Sequence, residues 1–278
     1  MTDNVELKRY LDVALSAARK GGDLLLARFK ARAQRPEQPR AKSDGSVVSD
    51  ADITAEQAIV DALSSLEGDF GLVSEEAVSD QREGEHTWVI DPLCGTANYL
   101  RGSEQWGLNV ALRKANELEV AVMTLPAMGL EFCAVRGSGV TLNREPFTLP
   151  SVIEQIGVVI LEKSGGRGHK EMVMQEQAWV SDMQQVLTLG SVPSSIVELI
   201  NGRVSACVFH NFGTVHLAAG AMLCSELGLR VTDADGKDID WVSPANLPNA
   251  VLTHPEFHPK LLAMRKSKEA SHGAGNTG

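Results

Sequence analysis

Trp88-Val89-Ile90-Asp91-Pro92-Leu93-Cys94-Gly95-Thr96-Ala97-Asn98-Tyr99-Leu100-Arg101-Gly102 is the stretch that decides the fold. Trp88 to Ile90 is a short apolar run suited to a buried strand, and it delivers an acid, Asp91, onto a turn marked by Pro92 and Gly95. Gly95 and Thr96 can then open a helix. A carboxylate at a strand end is an oxygen ligand for a hard cation. Free backbone N–H groups at a helix start face the anion which that cation neutralises. On its own, Asp-Pro-x-x-Gly-Thr is an ordinary strand-turn-helix, and its neighbours decide whether it carries chemistry.

Upstream, Phe70 to Ser74 reads as a short strand ending in Glu75-Glu76, a pair that in isolation is a solvated edge. Further back, Lys42-Ser43-Asp44-Gly45-Ser46-Val47-Val48-Ser49-Asp50-Ala51-Asp52 leads into a helix over 53–66, and capping is enough to explain Asp52 there. Downstream, Gly213-Thr214-Val215-His216-Leu217-Ala218-Ala219-Gly220 opens a helix whose small residues permit close packing.

Together these segments resemble the signatures of the inositol monophosphatase family, magnesium-dependent phosphomonoesterases. The central stretch is similar to the family's Asp-Pro-x-Asp-Gly-Thr-x-Asn-Phe. The Lys42 to Asp52 segment is similar to Lys-x-Asp-x-x-x-Val-Thr-x-Ala-Asp, Glu75-Glu76 to Gly-Glu-Glu, and the Gly213 segment to Gly-x-Trp-Asp-x-Ala-Ala-Gly. The resemblance spans Leu7 to Lys266. It implies a layered αβαβα sandwich, with an N-terminal α+β lobe over 1–149, a C-terminal α/β lobe over 150–266, and a cleft around Asp91.

The resemblance also assigns roles. Metal would be held by Glu75, Asp91 and the Leu93 carbonyl, with Asp52 and Thr96 orienting water and Lys42, Gly95 and Thr96 holding phosphate. Two positions depart from the pattern: Cys94 and His216 stand where the family has aspartate ligands, and Val215 stands where it has tryptophan. Magnesium is hard and requires oxygen, so losing two carboxylates weakens a multi-ion centre.

Three readings follow. The first is a phosphatase working with one weakly held magnesium ion on Glu75 and Asp91. The second is a centre retuned for zinc or iron, because thiolate, imidazole and carboxylate suit softer ions. The third is a non-catalytic member that binds a phosphorylated metabolite or a partner protein. Cys94 as a small buried hydrophobe and His216 as a hydrogen-bonded imidazole are the plainer alternatives. Phe209-His210-Asn211 lacks the acid with which inositol-preferring members hold a sugar hydroxyl, so inositol is not a favoured substrate. The family habit is a homodimer.

Composition sets the outer bounds. The chain has 278 residues, 43% apolar and 22% charged, enough for a large core. A net charge of -10 argues against nucleic acid, whose phosphates require basic surface. No apolar run reaches ~18 residues and the start lacks the pattern of a signal peptide, so a cytoplasmic protein without a membrane span is expected. Cys94, Cys133, Cys207 and Cys224 are widely spaced, which favours free buried thiols over a disulfide framework or a zinc knuckle.

The remaining periodicity predicts helices over 5–29, 170–182, 194–200 and 258–266, and strands over 108–113, 119–125, 131–135, 158–161, 186–189, 206–209 and 250–252. Segments 31–40 and 77–87 read as flexible connections, and 267–278 as a disordered tail. Lys163 to Gly168 lacks the spacing of a nucleotide phosphate loop and reads as a turn.

Overall fold

The structure is a computed structural model that describes residues 2–34, 36–43, 45–77, 79, 81–150, 157–165, 168–242 and 247–273. In chain order the first half contains α1 (Thr2–Ala31), β1 (Arg40–Ala41), β2 (Val47–Val48), α2 (Asp50–Leu63), β3 (Phe70–Ser74), β4 (His86–Cys94), α3 (Thr96–Leu100), β5 (Gly107–Lys114), β6 (Glu117–Leu125), β7 (Leu130–Val135), β8 (Val140–Leu142) and β9 (Glu145–Phe147). The second half contains β10 (Val158–Lys163), α4 (His169–Val180), β11 (Gln185–Leu187), α5 (Val192–Ile200), β12 (Ala206–Phe212), α6 (Thr214–Glu226), β13 (Arg230–Asp233), β14 (Leu247–Thr253) and α7 (His258–Gly273).

Strands β3 to β9 form one sheet in sequential order, parallel only between β3 and β4. The other large sheet runs β11-β10-β12-β14-β13, with β10 parallel to both its neighbours.

Side-chain alternation builds the layers. Ile90, Val110, Leu112, Val120 and Val122 face Ala14, Ala18 and Leu25 of α1 and Ile59 of α2. Their neighbours Val89, Ala111, Ala121 and Met123 face the opposite way. They share a core with Ile196 of α5, Ala218 and Leu223 of α6, and Ile160, Cys207 and Phe209 of the second sheet. Val159, Leu161, Val208 and Val251 on that sheet's far face pack on Trp179 of α4 and Leu261 of α7. Helix pair, sheet, helix pair, sheet, helix pair is the αβαβα order expected. The central strands β4, β5, β6, β10 and β12 are mostly apolar because both of their faces are covered, and each fully buried Ile, Val or Leu contributes roughly 1.5–3 kcal/mol.

The middle layer is tight. A Cβ on Gly220 of α6 would lie 2.8 Å from Ile196 Cγ1, so glycine is what lets α5 and α6 approach this closely.

Several local expectations change. The 31–40 connection is tied down: Arg28 pairs with Glu37 at 2.7 Å, and Arg40 pairs with Val48 in a two-stranded ladder. The acidic loop after Glu76 is also held, because Leu72 and Arg82 form a β-bridge and Gln81 Oε1 accepts from Ser74 N at 2.6 Å. β4 starts at His86, inside the expected loop. The strands β8, β9 and β13 carry too few residues to show a period in the sequence. Helix α7 continues through Gly273, past the Lys266 expected, and 274–278 lie outside the described residues. All four cysteines are free and buried.

Candidate functional site

The site is assembled at the end of β4. Asp91 lies opposite Asn109 in the β4/β5 ladder, and the register then breaks between Asp91 and Cys94. Pro92 cannot donate to the ladder, so the strand bulges here before Cys94 pairs with Gly107. Asp91 is fully buried, and both its oxygens are used: Oδ1 accepts from Leu93 N at 3.1 Å and Oδ2 faces His216 Nδ1 at 2.6 Å. Gly95 adopts φ 99, a left-handed conformation. A Cβ there would lie 3.0 Å from Ser191 Cβ and 3.1 Å from the Gln105 carbonyl. Helix α3 spans only five residues, so any anion held at its start relies on N–H groups and nearby cations more than on a helix dipole.

Asp52 has two duties, one for each oxygen. Its Oδ2 accepts from Ser49 N at 2.8 Å and Ser49 Oγ at 2.7 Å, and Ser49 Oγ in turn accepts from Ala51 N, so the capping reading holds, with Ser49 as the N-cap of α2. Its Oδ1 accepts from Thr96 Oγ1 at 2.7 Å, and that hydroxyl also lies 3.1 Å from the Leu93 carbonyl oxygen. Burial pushes the Asp52 carboxyl up, against the pull of Thr96 and Ser49. Asp52, from the start of α2, therefore joins Thr96 and Leu93 of the central turn in one polar chain beside Asp91.

Glu75 joins this centre from the end of β3. Lys42 Nζ lies 3.0 Å from Glu75 Oε1 and 2.5 Å from Glu76 Oε1, and His216 Nδ1 lies 3.9 Å from Glu75 Oε2. Burial and then the charge of Asp91 push the Glu75 carboxyl up to about 8. Burial pulls His216 down, but Glu75 and then Asp91 outweigh it and hold the imidazolium up to about 9. The same imidazolium keeps Asp91 below the usual carboxylate range despite its burial.

Cys94 and His216 come together from positions far apart in the chain. One ligand atom from each of Asp91, Cys94 and His216 lies within 4.8 Å of the others. Burial and then the charge of Asp91 push the Cys94 thiol well up, with the Val192 N–H at the start of α5 pulling the other way.

Four contributors escaped sequence reasoning. Buried Glu56, one turn after Asp52 on α2, accepts from Ser74 Oγ and Glu76 N at 2.8 Å each and so fixes the end of β3. Asn109 donates to the His216 carbonyl at 3.2 Å; as a lone amide in an apolar run, it was the visible signal. Ser191 Oγ donates to the Cys94 carbonyl at 3.2 Å, and Glu162 accepts from Leu189 N, Gly190 N and Ser195 Oγ behind it. A cavity of about 460 Å³ opens beside the centre, walled by Glu75, Gln81, Arg82, Thr214 and His216.

Acids crowd this centre: Asp52, Glu56, Glu75, Glu76 and Asp91 face Lys42 and His216. Such crowding is relieved by a divalent cation, and the donors divide into two sets. Glu75, Asp91 and the Leu93 carbonyl offer oxygen and fit one magnesium ion completed by water. Asp91, Cys94 and His216 offer one oxygen, one sulfur and one nitrogen, which does not fit a second magnesium ion.

The model of the inositol monophosphatase family matches residues 6–270. An inositol-1-monophosphatase of Mesorhizobium japonicum is 28% identical over 230 residues, which cover 81% of this chain and 86% of that protein. The Nus factor SuhB of Pasteurella multocida is 26% identical over 230 residues, covering 81% and 85%. The crystal structure of the extragenic suppressor protein suhB from Bartonella henselae superposes with a TM-score of 0.81 at 25% identity, covering 93% of this chain and 98% of that one. Among the described residues no helix is long and apolar enough to cross a membrane.

Proposed function

Because the chain belongs to the inositol monophosphatase family, we propose that it is a phosphomonoesterase with an altered metal centre, acting on a small phosphate ester of the sugar, inositol or nucleotide class. The observation that carries this reading is the Thr96 hydroxyl, which joins Asp52 Oδ1 at 2.7 Å to the Leu93 carbonyl oxygen at 3.1 Å. A magnesium ion held by Glu75, Asp91 and the Leu93 carbonyl supplies, when bound, polarisation of the phosphate and a more acidic water. Thr96 and Asp52 orient that water for attack. Lys42 and the backbone N–H groups after Gly95 receive phosphate oxygens. The ester's organic part enters the cavity beside His216, whose walls Gln81, Arg82 and Thr214 favour a polar group.

A second reading, a cleft that binds a phosphorylated metabolite without hydrolysing it, is favoured by the ion pairs already present. A divalent ion must displace Lys42 from Glu75 and His216 from Asp91. One relative is named as a Nus factor and not as a phosphatase. Phosphate release from a panel of sugar, inositol and nucleotide phosphates, measured against magnesium concentration, separates the two. The first reading expects magnesium-dependent release that falls on the order of 100-fold in Asp52→Asn. Calorimetric binding of an ester with no release at any magnesium concentration would establish the second.

A further inference from the structure

We infer that Asp91, Cys94 and His216 form a site for a single borderline divalent cation of the zinc or ferrous class, adjoining the oxygen set on Glu75 and Leu93. The two departures from the family pattern lie in different layers of the fold, one at the end of β4 and one at the start of α6, yet they meet at the same carboxylate. Both bring in side chains that bind metal. Loss of ligation alone has no preference for sulfur and nitrogen, whereas replacing carboxylates by thiol and imidazole around a retained aspartate converts a hard donor set into a softer one.

The local geometry agrees. At 2.6 Å the His216 Nδ1–H donates to Asp91 Oδ2, and a metal ion would take the place of that proton by widening the pair. Asn109 fixes the backbone of His216 through its carbonyl. Glu75 Oε2 lies 3.9 Å from His216 Nδ1, which places the oxygen set beside this one. Binding transfers one proton from Sγ and one from Nδ1 to the buffer, with no change of oxidation state. The inference rests on the phosphomonoesterase reading only for the location of the centre, and its test uses no ester.

The full chain is stripped of metal and titrated with zinc by calorimetry, and with cobalt(II) by absorption. We expect one zinc per chain and a near-ultraviolet thiolate-to-cobalt band. Cys94→Ser should abolish the band and weaken zinc on the order of 100-fold, His216→Asn should weaken zinc similarly, and Cys133→Ser should change neither. Melting curves without metal show whether each variant folds; if Cys94→Ser does not, the wild-type cobalt band and His216→Asn decide the matter. No zinc bound at micromolar free ion, a cobalt complex without the thiolate band, or equal zinc affinity in a folded Cys94→Ser would overturn the inference. Phosphate release plays no part in these readouts, so a failed hydrolysis assay and a failed metal site remain distinguishable.

Discussion

Replacing Thr96 by valine tests the polar chain at the heart of the proposed mechanism, because valine keeps the shape and branching of threonine and deletes only the hydroxyl. Asp52 is fully buried, its Oδ2 stays satisfied by Ser49, and its Oδ1 loses the partner at 2.7 Å. Leaving a buried acceptor unpaired costs about 1–3 kcal/mol. An unfolding entropy of about 2.1 cal/mol/K per residue makes this roughly 2–5 °C in Tm for a chain of this length. The loss should depend on pH. Burial already raises the native Asp52 value above the unfolded one, so the native state binds this proton more tightly and stability from this group falls as pH rises from the unfolded value through the native one. Removing the hydroxyl removes a downward pull and raises the native value further. The deficit of Thr96→Val should therefore be full above the variant's own, higher native value and fade as pH falls from there to the wild-type native value. Phosphate release should drop on the order of 100-fold, and Thr96→Ser should recover most of both effects. Melting curves across acid to neutral pH, with initial rates for the three proteins, provide the assay. A folded Thr96→Val with unchanged rate and a deficit independent of pH would refute the claim that this hydroxyl serves Asp52.

Gly95→Ala forces a Cβ onto a φ of 99 and within 3.1 Å of the Gln105 carbonyl, so it should lose about 2–4 kcal/mol by denaturant unfolding and release phosphate more slowly; a neutral substitution would mean the turn is freer than its geometry indicates. The double change Cys94→Asp with His216→Asp should restore oxygen donors. Its melting should be lower than wild type without metal and rise by about 2.7 kcal/mol of stability at magnesium 100-fold above Kd, while zinc affinity falls; a double variant that folds but shows no magnesium response would show that the donors no longer converge. Glu162→Gln turns an acceptor into a donor facing Gly190 N, at 3.0–3.1 Å from the carboxylate oxygens, and should lose about 1–3 kcal/mol with faster amide exchange over 188–191; unchanged exchange there would remove Glu162 as the anchor of that loop.

The fold was legible where chain length allowed a period to show. Trp88 to Ile90, 110–112 and 120–123 are apolar on successive residues, and the structure explains this as strands covered by α1 and α2 on one face and by α5 and α6 on the other. Strands β8 and β9 of three residues each carry no readable period, and their hairpin turns at Asn143 and Arg144 with φ 50 and 73, where glycine was the expected sign. At the site, the acids stood out by type and position. Glu56 did not, because an acid on a helix is normally solvated and only the packing of α2 against β3 and β4 buries it. The meeting of Cys94 with His216 could be suspected only through resemblance, since nothing local couples residues so far apart in the chain.

What brings them together is the middle helical layer, and this ties the chemistry to the joint between the two sheets. Asp91, Cys94 and Thr96 come from the first sheet and its turn, whereas His216 comes from the start of α6, and Ser191, just before α5, donates to the Cys94 carbonyl. The loop before α5 is held from behind by Glu162 of the second sheet and from in front by Asn98, whose side chain donates to the Leu189 carbonyl at 2.8 Å. A shift of the second sheet would therefore move Ser191, the partner of the Cys94 carbonyl, through this loop. It would also move the imidazole, because α6 packs on α5 through Gly220 and Ile196. The oxygen set on Glu75 and Leu93 depends on the first sheet alone. The two donor sets thus differ in mechanical support as well as in hardness, and substitutions in α5 or at Glu162 should disturb the Cys94 and His216 set while leaving Asp52, Thr96 and Glu75 in register.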